Sequence, residues 1–314
     1  MLFIKGVQME DIKGRKVLVT GGAGFIGSNL VERLAKDNKV YVIDNLNTGS
    51  VKNLEAAKKT GNVTFIEDDI KNIAKHNLDV DLIFHLGMYS SSPMYKNNPN
   101  LLNEVVEGNI NILEYVKQHK ATMVFASTSS IYNGVTPPHK ESIVPPVSDY
   151  YTEGRISAER LSELYAKLFG ANIAAMRFFS VYGWHEEAKK EYANLVTQFI
   201  WAMKKGEQPV IYGDGLQRRD FVFVEDVVDA LIKASVIKGF DIFNVGTGKS
   251  YSLNELVDKL NNAMGTNIKP KYIKMPTSNY VMETLADTSK AEKLIKFKSR
   301  IDLDEGISKL LVGK

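Results

Sequence analysis

The sequence predicts an α/β fold: a doubly wound parallel sheet with a smaller C-terminal lobe. Three observations carry this. Short β-branched runs alternate with longer amphipathic stretches, a glycine-rich turn follows the first run directly, and the rhythm breaks after about residue 180. Strands are expected at KVLVT (16–20), VYVI (40–43), VTFI (63–66), DLIFHL (81–86), TMVFA (122–126) and IAAMRF (173–178). Helical patterns lie between them, over 25–37, 100–118 and 153–169. Later come a helix near 192–205, a turn-rich GDG at 213–215, a helix after Asp226 and a strand near IFNVG. Residues 1–14 read as a tail ahead of the first strand. The expected division is 1–179 for the sheet domain, with segments near 221–246 returning to it, and 180–314 for most of the lobe.

Composition narrows the function. The 314 residues are 44% hydrophobic and 25% charged, ordinary for a globular chain. The net charge is +3, with acids and bases mixed and no basic block, so no nucleic-acid partner is expected. The absence of cysteine excludes disulfides and thiolate metal sites. Five scattered histidines show no HExxH spacing, so no metal is expected. The N-terminus lacks a continuous apolar core and no stretch reaches spanning length; a cytoplasmic chain with no membrane partner is expected.

The first strand runs into TGGAGFIG, where Gly21, Gly24 and Gly27 are spaced G-x-x-G-x-x-G. Glycines let the backbone turn tightly and approach a pyrophosphate, and the next helix offers free N–H groups to that anion. Asp44, at the end of the second strand, is placed to accept the hydroxyls of an adenosine ribose and to repel the extra phosphate of NADP. Together these make a Rossmann domain for NAD. A second phosphate motif fails: GTGKS (246–250) ends like a P-loop, but the glycine required at 243 is Phe243.

The stretch DYYTEGRISAER (149–160) holds a tyrosine with a cation four positions on: Tyr151, Arg155 and then Glu159 share one helix face. A nearby cation favours a phenolate and so suits a general base. The same spacing is also common on solvated helix surface. The other frame pairs Tyr150 with Gly154 and supplies no cation.

With TGGAGFIG, DNLNTG, EDDI, FHLGMYSSS, FASTSSIY, RFFSVYG and YGDGLQRRDFVFVEDV in that order, the chain resembles an extended short-chain dehydrogenase/reductase. Within that group it is most similar to the NAD-dependent nucleotide-sugar epimerases of the UDP-glucose 4-epimerase type, over roughly residues 15–310. The resemblance implies that Phe25 and Ile26 join the three glycines at the pyrophosphate. Asn45, Thr48 and Gly49 would join Asp44 around the adenosine, with Asp69 and Ile70 flanking the adenine. Leu86, Gly87 and Ser90 would lie along the cofactor. Thr128 stands where the family places its catalytic Ser/Thr, Tyr151 would be the acid/base, and Arg155 would replace the usual lysine beside the nicotinamide ribose. Phe178 and Ser180 would face cofactor and sugar, with Ser129 and Ser130 on the substrate side. Asn194, Leu195 and Val196 would meet the nucleotide, while Tyr212 and Arg219 would flank its base and bind a phosphate.

Departures from the family pattern are informative. Ser180 and Val105 stand where asparagine is common, and Thr277 and Tyr280 stand where an Arg-x-x-Asp pair often grips the nucleotide. Sugar-nucleotide dehydratases and decarboxylases place an acid just after the catalytic threonine, where this chain has Ser129 and Ser130. The expectation is therefore a nucleotide-sugar 4-epimerase acting on UDP-glucose/UDP-galactose. An NAD-dependent dehydrogenase or reductase on another hydroxyl substrate, and a cofactor-binding protein with a degenerate site, stay open. A homodimer is expected through the helices near 100–118 and 153–169, where Leu101, Val105, Ile112, Tyr115, Leu161, Leu164 and Leu168 exceed one core-facing stripe.

Overall fold

The computed structural model describes residues 12–275 and 280–314. The first half supplies strands β1 (Lys16–Thr20), β2 (Lys39–Asp44), β3 (Val63–Glu67), β4 (Leu82–His85), β5 (Thr122–Thr128) and β6 (Asn172–Phe178). Short strands follow: β7 (Ser180–Tyr182), β8 (Val210–Tyr212), β9 (Arg218–Arg219) and β10 (Phe221–Phe223). Then β11 (Phe240–Val245) returns to the main sheet, ahead of β12 (Tyr251–Ser252) and β13 (Lys271–Ile273). The main sheet has seven strands in the order β11-β6-β5-β4-β1-β2-β3. Each neighbouring pair in it is parallel. The remaining strands make three two-stranded pieces, β10 with β7, β12 with β9 and β13 with β8.

The helices are α1 (Phe25–Leu34), α2 (Glu55–Lys58), α3 (Ser92–Asn97), α4 (Leu101–His119), α5 (Tyr150–Phe169), α6 (Leu195–Lys204), α7 (Val224–Ala234), α8 (Leu253–Met264), α9 (Ser289–Ile295) and α10 (Leu303–Val312). Strand positions agree with the sequence to within a residue or two; helix starts agree less well. The α5 helix begins at Tyr150, three residues early, because Asp149 caps it. Its carboxylate accepts the Thr152 N–H at 2.8 Å, while Thr152 Oγ1 accepts the Asp149 N–H at 3.1 Å. The α7 helix begins at Val224, so Asp226 lies in its first turn rather than before it. There Asp226 accepts hydrogen bonds from Ser299, Arg300 and Ile301. Residues 12–14 are already tied to the fold, with Gly14 N–H donating to Asp37 O at 2.8 Å; residues 1–11 and Thr277 lie outside the described residues.

Side-chain alternation along the strands feeds two cores. Val17 and Val19 point to one face with Val42, Leu30, Val227 and Phe243. Leu18 points to the other with Ile83, Phe125, Ile112 and Val116. A third core, with Tyr182, Val196, Phe199, Leu256 and Ile307, belongs to the lobe and takes in Phe25 from the start of α1. The P-loop-like GTGKS is a turn wrapped around Asp220, which accepts from Thr247 N–H, Thr247 Oγ1 and Gly248 N–H. A carboxylate thus fills the place a phosphate would take. Among the described residues, no helix is long and apolar enough to cross a membrane.

The residues expected to join two protomers divide differently. Leu101, Val105, Ile112 and Tyr115 all enter the protomer's own core. Leu164 and Leu168 remain 46% and 62% exposed, and Leu161 is half-buried. The surplus of apolar residues is real, but on α4 its outward part is Leu102, Val106 and Ile110, which line a groove beside Ser157 of α5.

A buried ion pair fixes α5 to the sheet. Arg177 of β6 donates through Nε and Nη2 to Glu159, at 2.9 and 2.7 Å, in a two-pronged contact. Glu159 also accepts from Ser127 Oγ at 2.5 Å. Arg177 Nη1 reaches Tyr132 OH at 2.7 Å, and that hydroxyl donates to Asn244 of β11 at 2.8 Å. Removing one partner strands a buried charge. Arg177→Met is therefore expected to destabilise the fold by about 3–5 kcal/mol. Adding Glu159→Gln should restore a good part of that, as read by urea unfolding; a double variant no more stable than the single one would contradict this.

Candidate active site

The strand ends of the sheet and the lobe enclose a cavity of about 420 Å³. At its base the chain crosses itself with no room for side chains. Gly21 adopts φ +66°, and a Cβ on it would sit 2.7 Å from Gly87 Cα; one on Gly27 would sit 2.1 Å from Gly21 O. Larger residues at these points would push β1, β4 and α1 apart. Gly24 caps α1, so Phe25, Ile26 and Gly27 present the first N–H groups of the helix, which have no intrahelical acceptors.

Asp44 ends β2 and is almost fully buried. Its oxygens accept Ala23 N–H at 2.9 Å and Leu46 N–H at 2.8 Å. Burial nonetheless raises its pKa above the ordinary aspartate value, against those hydrogen bonds. The carboxylate thus shapes the glycine loop as well as facing the cavity. Asn45 donates to Asp69 at 3.2 Å, and both line the wall with Thr48, Gly49 and Ile70. A glycine cradle, a free helix N-terminus and a buried acid 21 residues after Ala23 suit a dinucleotide, its pyrophosphate at α1 and a ribose at Asp44.

At the other end, Thr128 closes β5 and accepts the Ser130 N–H at 3.1 Å, which fixes the turn that carries Ser129 and Ser130 into the cavity. Tyr151 and Arg155 line the cavity from α5 while Tyr150 is 52% exposed outside it. The face of Tyr151, Arg155 and Glu159 is buried along its length, which removes the solvated-surface reading. Arg155 lies over the Tyr151 ring, its guanidinium carbon 5.1 Å from the ring centre. Its Nη2 donates to Tyr89 O at 2.9 Å and its Nη1 to Met88 Sδ at 3.0 Å, both in the loop after β4. Its Nε is buried with no hydrogen-bond partner.

Of the residues singled out in the sequence, Leu86, Gly87, Ser90, Phe178, Ser180, Asn194 and Arg219 also line the cavity. Asn194 caps α6, its side chain accepting the Val196 N–H. Three residues are not brought there. Val196 is fully buried in the lobe core, and Leu195 packs against that core. Tyr212 stands beyond the cavity, its ring 6.1 Å from Tyr280, which in turn lies under Arg219 at 5.5 Å.

Several lining residues carried no sequence signal. His85 shares a 2.7 Å hydrogen bond with Thr20 through Nδ1, and its Nε2 is buried without a partner. Burial, helped by Arg155, pushes its pKa down to about 3, so it stays neutral near pH 7. Glu104 accepts from Tyr89 OH at 2.9 Å; in the sequence it reads only as an acid in the first turn of a helix. Lys189 and Tyr192 come from the charged run EEAKKEY, which has no motif spacing.

Comparison with known proteins agrees with this geometry. Residues 17–246 match the NAD dependent epimerase/dehydratase family. The chain is 35% identical over 306 residues to a putative UDP-glucose 4-epimerase of Methanocaldococcus jannaschii, covering 94% of this chain and 97% of that one. Its structure resembles a UDP-N-acetylglucosamine 4-epimerase from Methanobrevibacter ruminantium M1, solved with UDP-N-acetylmuramic acid. The TM-score is 0.89 at 31% identity, over 96% of this chain and 99% of that one. A UDP-glucuronic acid 4-epimerase from Bacillus cereus, solved with UDP-glucuronic acid and NAD, gives a TM-score of 0.84 at 27% identity, over 93% and 96% of the two chains. This chain belongs to the NAD dependent epimerase/dehydratase family, enzymes of nucleotide sugars that use NAD.

Proposed function

We propose that the protein is a UDP-sugar 4-epimerase, with UDP-glucose and UDP-galactose as its pair. The observation that carries this is the Tyr151–Arg155 contact beside Thr128, with Ser129 and Ser130 where an eliminating enzyme would place an acid. The 4-epimerase names of several relatives support it, although they differ in the sugar.

NAD, held by the Gly21–Gly27 turn and Asp44, would supply a reversible hydride acceptor when bound. Everything else falls to the chain. Tyr151 takes the proton from the sugar 4-hydroxyl and gives it back after the 4-keto sugar has turned. Arg155 holds a fixed positive charge over the Tyr151 ring and, as an always-protonated group, takes no proton itself. Thr128, with its oxygen already accepting from Ser130, keeps its own O–H to offer to the sugar oxygen. Ser129, Ser130 and Ser180 give the sugar hydroxyls short polar partners. Asn194 and Arg219 lie on the nucleotide side. His85, kept neutral by burial and by the charge of Arg155, adds no second positive charge to the cavity.

Turnover of a UDP-sugar panel, followed by chromatography and by absorbance of NADH, tests the reading. Epimer formation without net NADH supports it, whereas stoichiometric NADH marks a dehydrogenase. Tyr151→Phe is expected to lower kcat by about 10²–10⁴-fold with UDP-sugar binding retained, and Tyr150→Phe to change it little. Arg155→Lys should keep a fair share of the rate, while Arg155→Met should lose most of it. An Arg155→Met variant with wild-type rate would reduce Arg155 to a structural residue.

We further propose a homodimer through the outer faces of α4 and α5, a reading that the exposed Ile110, Leu164 and Leu168 support. Sedimentation at micromolar concentration is expected to give a dimer, which Leu164→Glu with Leu168→Glu should split. A monomeric wild-type protein would contradict it.

A further inference from the structure

We propose that Lys189 is a diphosphate-holding residue, delivered to the cleft by the lobe. Three cations line the cavity: Arg155, Lys189 and Arg219. Two of them are already engaged. Arg155 binds Tyr89 O and Met88 Sδ. Arg219 donates to Val281 O at 2.6 Å and to Arg218 O at 2.8 Å. The Lys189 ammonium is held more loosely, by a long ion pair with Glu186 and by the face of the Phe25 ring. Its anionic neighbour Glu186 stands 3.8 Å away, well beyond the roughly 2.7–2.9 Å of a charge-assisted hydrogen bond.

Glu186 has partners besides that lysine. It accepts the Asn194 N–H at 2.8 Å and the Thr197 hydroxyl. A ligand that drew Lys189 away would leave the carboxylate these two hydrogen bonds. The backbone also separates it from its neighbour: Lys190 takes φ +49° in the segment Glu187–Tyr192, and Lys190 is exposed where Lys189 is mostly buried. Burial pulls the Lys189 ammonium below the ordinary lysine range, with Glu186 opposing.

Position selects the ligand. Lys189 Nζ lies 5.3 Å from the centre of the Phe25 ring, and Phe25 is the first residue of α1. The ammonium thus lies over the side chain of the first residue of α1, and Lys189 lines the same cavity as the glycine turn that opens that helix. A buried ammonium with three donors and no close acceptor is costly unless an anion completes it. A diphosphate supplies several oxygens at once. Two ligands carry that group: NAD, and the UDP-sugar, the second resting on the function proposed above.

Calorimetric titrations of NAD, and of UDP into the NAD-saturated protein, distinguish them. Lys189→Met is expected to weaken one of the two by about 10- to 100-fold, and Lys189→Arg to restore most of it. The ligand that weakens identifies which diphosphate Lys189 holds. Glu186→Gln, which releases the ammonium from its neighbour, should tighten the same ligand. If Lys189→Met folds poorly, the double variant Glu186→Gln with Lys189→Met removes both buried charges and is titrated instead. Unchanged affinity for both ligands in a folded variant lacking Lys189 overturns the proposal. A wild-type protein that binds NAD but not UDP counts against the uridine reading alone, and the NAD titration still decides Lys189.

Discussion

The buried pair of Glu159 and Arg177 is the constraint on which the site depends. Glu159 sits two turns beyond Tyr151 and one beyond Arg155 on the same face of α5. Its carboxylate takes two hydrogen bonds from Arg177 and one from Ser127, the residue before Thr128. A helix anchored in this way cannot roll without exposing a desolvated charge. The orientation of Tyr151 and its distance from the end of β5 are thereby held by one interaction. The same network continues through Tyr132 to Asn244, so the edge strand β11 is tied to the site as well.

Within that frame, Arg155 is not a simple exchange for lysine. A guanidinium is planar and can lie flat on a ring while its ends donate elsewhere. Here it rests on Tyr151 and ties the loop after β4 to α5 through Tyr89 O and Met88 Sδ. Its charge has no carboxylate partner among the described residues, and the buried His85 beside it stays neutral. The arrangement keeps a positive field on the phenol side of the cleft. The other two cations lining the cavity, Lys189 and Arg219, come from the later half of the chain.

Legibility from sequence followed the physics of each residue. The glycine loop was readable because close backbone approach tolerates only one residue type, as the Gly21–Gly87 crossing shows. Asp44 was readable from its place at the end of a strand, although its grip on Ala23 and Leu46 was not. The choice between Tyr151 and Tyr150 turned on a spacing of four, which the helix converts into one buried face. Residues whose role depends on tertiary contact were opaque. Val196 looked like a ligand residue but fills a core, and Leu101, Val105, Ile112 and Tyr115 looked like an interface but line the protomer's interior. Lys189 and Glu104 sit in ordinary charged surroundings in the sequence. Only the packing of the lobe over α1, and of α4 beside the loop after β4, brings them into the cavity.

The proposed 4-epimerisation is an oxidation and a reduction at a single sugar carbon within the cleft. The most direct measurement uses UDP-glucose deuterated at carbon 4, incubated with the NAD-loaded protein and followed by mass spectrometry of the separated epimers. The expected result is UDP-galactose that retains deuterium at carbon 4, with no net NADH. Loss of the label to solvent, or oxidised product accumulating with NADH, would contradict it.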